Sequence, residues 1–136
     1  MKDVYSTIKD AVQKVGIVDT HEHLLQEKDR TARRPDLFET FLPHYASSDL
    51  VSSGMKTEDL EKVRDSRLPL EERWRIFEPF WEKIQNTSYA RVLNVATRDL
   101  YGVDGIAEHT YKKLASRMEQ VNKPGIYQWI LKEVWN

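Results

Sequence analysis

Gly16-Ile17-Val18-Asp19-Thr20-His21-Glu22-His23-Leu24 is a short apolar run that leads directly into two histidines one residue apart. Read as a strand over 17–23, it alternates faces, with Ile17, Asp19, His21 and His23 on one side and Val18, Thr20 and Glu22 on the other. The two imidazoles then converge. Imidazole nitrogen is a good ligand for zinc and related transition metals, and an i, i+2 pair at a strand end supplies two adjacent ligands without straining the backbone. His21 and His23 are therefore the candidate metal ligands. Asp19 shares their face and is either a hydrogen-bond partner of a ligating ring or an aspartate bonded to nearby backbone. Glu22, on the opposite face, reads as a structural or surface carboxylate.

Before this stretch, Val4, Ile8, Ala11, Val12 and Val15 recur at helical spacing, which predicts an amphipathic helix over 3–15 ended near Gly16. After it, 26–35 is densely charged and reads as a solvated loop. Arg30, Arg33 and Arg34 in that run are candidates for a forked grip on a substrate carboxylate. Asp36 is placed to cap a short helix carrying Leu37, Phe41, Leu42 and Tyr45 on one face. The 47–54 region reads as a loop or single turn, and Thr57 opens a charged helix to about Val63.

A helix starting at Leu68-Pro69-Leu70 presents Trp74, Phe77, Trp81 and Ile84 as a stripe, which Pro79 should kink or split near Glu78. With Phe80, those aromatics read as core before they read as a pocket wall. Asn86-Thr87-Ser88 precedes a helical face of Tyr89, Val92, Leu93, Ala96 and Leu100, ended by Gly102. Helical patterns follow over 106–121 and 126–135. His44 and His109 are the remaining histidines, and no spacing ties them to the first pair. Arg91 and Arg98 read as surface charges.

At 136 residues the chain is sized for one domain. Its 21 lysines and arginines against 22 aspartates and glutamates give a net charge of -1, which carries no footprint of nucleic-acid binding. Without cysteine, a metal must be held by His, Asp or Glu. No apolar run approaches the roughly 20 residues that cross a bilayer, and the start of the chain lacks a hydrophobic signal core, so a cytoplasmic protein with no membrane partner is expected.

One strand among six or so helices cannot make a sheet, because its backbone groups need neighbours. The run Val18-Asp19-Thr20-His21-Glu22-His23-Leu24 resembles the opening of amidohydrolase-superfamily enzymes, in which a His-x-His pair ends the first strand of a TIM barrel. Ile84-Gln85-Asn86-Thr87-Ser88-Tyr89-Ala90-Arg91 and Asp99-Leu100-Tyr101-Gly102 look like the amidohydrolase-related (amidohydrolase 2) branch. The resemblance implies an α/β fold in which 1–136 forms a partial domain. It would be the N-terminal part of a (β/α)8 barrel, with one barrel strand and a long helical insertion. A whole barrel takes about 250 residues.

The resemblance further implies a metal-dependent enzyme hydrolysing a C–N or C–O bond of a small molecule. The cofactor would be a divalent ion, zinc first and manganese second. A decarboxylase or a uronate isomerase-like enzyme is the alternative within the family. Only His21 and His23 match the family's metal ligands, so an incomplete or inactive enzyme with an unfilled metal site is expected of these residues alone. An unpaired strand would favour self-association or pairing with the absent part of a barrel. The competing expectation is a non-catalytic helical module in which the histidines are structural.

Overall fold

The computed structural model describes residues 3–135 except 17, 19, 22 and 44, with backbone alone for 133–135. Among the described residues the elements are α1 (Val4–Val12), α2 (Glu27–Arg33), α3 (Leu37–Phe41), α4 (Tyr45–Ser52), α5 (Thr57–Arg64), α6 (Leu70–Ile84), α7 (Ser88–Tyr101), α8 (Tyr111–Val121) and α9 (Ile126–Trp135). No helix among them is long and apolar enough to cross a membrane.

The expected α/β fold is overturned: there is no strand and no sheet among the described residues. Within the expected barrel strand over 17–23, the described residues carry no regular structure, and Val18 is 85% exposed. Ile17, Asp19 and Glu22 lie outside the described residues. The physical reason is the absence of a partner, since an isolated strand leaves its N–H and C=O groups to water and gains no ladder. What was expected to be the first stave of a barrel is a connector between two helices.

The core is built by α3 to α8. Trp74, Phe77, Trp81 and Ile84 of α6 are buried, as the aromatic stripe implied. They pack with Phe38 of α3 and Tyr111 of α8, the Trp74 and Tyr111 rings stacking at 4.4 Å and Phe38 meeting Phe77 edge-on at 5.1 Å. Pro79 does not split this helix, which runs unbroken from Leu70 to Ile84. A proline inside a helix costs about 3 kcal/mol, whereas each large side chain buried along the stripe contributes about 1.5–3 kcal/mol. Tertiary burial therefore wins.

Local signals placed most helix ends. Asp36 accepts from the Phe38 and Glu39 amides at 3.0 Å while Glu39 accepts from the Asp36 amide at 3.2 Å, a reciprocal box at the start of α3. Thr87 caps α7 through the Ala90 amide, and Gly102 closes it in the left-handed region at φ 63°. α9 spans the expected range.

Other expectations are corrected. The charged run over 26–35 contains α2, whose Glu27 and Asp29 sit at the start and Arg30 and Arg33 at the end, the order the helix dipole favours. The region over 47–54, expected as a loop or a single helical turn around Asp49-Leu50-Val51, contains most of the longer α4, held by Leu50 in the core and by Ser47, whose hydroxyl accepts from the Arg64 guanidinium at 2.7 Å. α8 begins at Tyr111, not near Ile106, because Gly105 adopts φ 77° and the Ile106 carbonyl turns to accept from the Trp81 indole at 2.8 Å. On α7 the buried residues are Ala90, Thr97 and Tyr101, and Tyr89 and Val92 of the expected face are exposed. α1 forms, capped by Asp3, yet buries none of its residues.

Candidate functional site

The connector from α1 to α2 carries both candidate ligands. His21 and His23 are exposed, and their Nε2 atoms stand 2.8 Å apart with the rings edge to face at 69°. In that contact one ring nitrogen donates and the other accepts. The same Nε2 atoms are the ones that could ligate a metal.

The donor chemistry suits zinc at these two positions. Among the described residues no group of three or more histidine, aspartate or glutamate side chains is placed to hold an ion. A catalytic zinc takes three protein ligands and a structural one four. The described set is therefore half of a site. Asp19, Glu22 and His44 fall outside the described residues, and His109 is exposed in the turn before α8.

His23 also lines a cleft of about 390 Å³ together with Leu24, Leu25, Arg30, Arg33, Pro35, Glu39, Thr40, Pro43 and Tyr127. α2 supplies the two arginines, α3 supplies Glu39 and Thr40, and α9 supplies Tyr127. Two hydrogen bonds close this wall: the Tyr127 hydroxyl donates to the Leu25 carbonyl at 2.7 Å, and the Tyr127 amide donates to Glu27 at 3.0 Å. The amide bond holds the Glu27 carboxyl below its ordinary pKa. The Arg30 guanidinium lies 6.0 Å from the centre of the Tyr127 ring. Burial pushes the Tyr101 phenol up, and the Arg30 charge partly counters it.

Comparison with family models, with curated proteins and with solved structures finds no match to this chain.

Other sequence candidates divide by where the fold puts them. Arg34 faces a different cleft, beside Asp36, Glu119 and Asn122. Arg98 pairs with Asp99 at 2.6 Å on the surface. The Trp74, Phe77 and Trp81 side chains are core, as expected, and Phe80 is half-buried beneath the Lys83 amine. Thr40 and Tyr127 were missed as site residues. Tyr127 stands 102 positions from Leu25, and no local pattern marks that meeting.

Proposed function

We propose that the connector carrying His21 and His23 is the metal-ligating end of a metal-dependent, amidohydrolase-like enzyme acting on a C–N or C–O bond of a small molecule. The observation that supports this reading is the 2.8 Å approach of two exposed Nε2 atoms. Each imidazole would supply one Nε2 to a divalent ion, in place of the contact the two rings now make with each other. A bound divalent ion would supply a more acidic water or a polarised carbonyl. The chain's own residues do the rest: two imidazoles hold, and the cleft beside His23 receives the substrate.

Metal analysis tests the reading. Titrated with zinc or manganese, the purified chain should bind about one equivalent weakly, as a two-histidine half-site does, and His21→Ala or His23→Ala should abolish the binding. No binding by the wild type, or binding unchanged in the double variant, overturns it.

A second reading, a non-catalytic helical module, is favoured by α1. Val4, Tyr5, Ile8 and Val12 are each more than half exposed, although they form the apolar stripe of a helix capped by Asp3, and Val15 just beyond it is exposed as well. Within α1 itself the charged residues are Lys9 and Asp10, which balance, so a second copy of the same helix meets no net repulsion from it. In this reading α1 pairs with its counterpart in another copy.

A further inference from the structure

We infer that the cleft beside His23 is a subsite for the carboxylate group of a small molecule, gripped by Arg30. Three observations carry this. First, among the described residues the Arg30 guanidinium has neither a carboxylate nor a carbonyl partner, and its Nε is buried without an acceptor. An arginine that is half-buried and unpaired is costly, because desolvation of a charge is offset only by a partner. Second, the Thr40 hydroxyl on the same cleft is also buried without a partner. Third, the cleft has the volume of a small-molecule site.

The charge balance selects the ligand. Arg30 and Arg33 face Glu39 across the cleft, with Arg33 3.9 Å from the Glu39 carboxylate, so one positive charge is left over. A monoanion neutralises it, while a dianion such as phosphate adds repulsion from Glu39. A planar carboxylate also matches the guanidinium fork with two parallel hydrogen bonds. The Tyr127 ring lies 6.0 Å from the Arg30 guanidinium and is itself tied through its hydroxyl to the Leu25 carbonyl, which fixes that wall of the cleft.

His23 lines the same cleft as Arg30 and contacts His21, so the carboxylate subsite and the imidazole pair share one cleft. That role, a handle for the substrate, rests on the reading of the histidines as metal ligands. Carboxylate binding itself does not.

The test uses the whole chain, metal-free, titrated with benzoate, with its neutral isostere benzamide and with inorganic phosphate, while NMR follows the arginine Nε–H resonances. Benzoate should shift the Arg30 Nε–H saturably, benzamide should leave it unmoved and phosphate should bind more weakly. Arg30→Gln should weaken benzoate by about tenfold or more, the loss typical of a charge-assisted pair, and Arg30→Lys should recover only part. Equal binding of benzamide, tighter binding of phosphate, or an unchanged benzoate affinity in Arg30→Gln overturns the proposal. Should Arg30→Gln fail to fold, the benzoate and benzamide comparison on the wild type decides. Benzoate binding that survives in the His21→Ala/His23→Ala variant, with metal lost, upholds the subsite separately from the metal reading.

Discussion

The Arg73 guanidinium of α6, 4% exposed, donates to the carboxylate of Asp36, the residue that caps α3. A single carboxylate thus serves two backbone amides and a buried cation, joining elements 37 positions apart. The Phe38 ring lies 5.3 Å beneath the guanidinium.

The two ends of this contact are unequal. Asp36→Ala removes the cap and strands a buried charge, for an expected loss of about 3 kcal/mol. Arg73→Met leaves Asp36 with its backbone donors and fills the same space with apolar atoms, for about 1 kcal/mol. Urea unfolding of the two variants checks the order, and equal losses would show that the cation does not depend on Asp36.

Trp81→Phe should destabilise the chain by about 1–3 kcal/mol. It leaves the buried Ile106 carbonyl without the indole donor that now reaches it at 2.8 Å. Thermal unfolding measures the loss. A change within error would mean the turn before α8 finds another donor.

Asp65, between α5 and α6, is held at a pKa of about 2, first by hydrogen bonds from the Arg67 side chain at 2.7 and 2.8 Å and then by the Arg67 amide. Its folded pKa lies below its ordinary value of 3.8, so the folded state binds this proton less readily than the unfolded one. The contribution is fully present above pH 3.8 and fades as pH falls toward 2. Carbon-detected NMR of the Asp65 carboxyl should titrate near the lower value, and Arg67→Gln should return it toward the ordinary one.

Ile8→Asp/Val12→Asp in α1 should leave thermal stability within about 0.5 kcal/mol of wild type, because neither side chain is buried. Light scattering decides the second functional reading: a wild-type dimer that becomes a monomer in this variant supports pairing through α1. A monomeric wild type at high micromolar concentration excludes it.

Helices were legible wherever their signals are local. The Asp36 box, the Thr87 cap, the left-handed Gly102 and the aromatic stripe of α6 each depend on residues within a few positions of one another. Charge misled at 26–35, where no apolar face announces α2 and the ordering of Glu27 and Asp29 before Arg30 and Arg33 was the only clue. Of the candidate site, the two histidines could be picked from the sequence, but the cleft beside them could not. Its walls come from α2, α3 and α9.

The sequence by itself therefore determined α1, α3 and α5 to α9 in outline and the pair of imidazoles, because i to i−4 hydrogen bonds, caps and i, i+2 spacing are properties of neighbouring residues. Only the tertiary structure decided that, among the described residues, Val18 lies outside any strand, that the apolar face of α1 stays uncovered, and that Tyr127 meets Leu25 beside Arg30, whose Nε has no acceptor. Each of those depends on whether a distant segment arrives as a partner, and no local pattern of apolar and polar residues encodes that arrival.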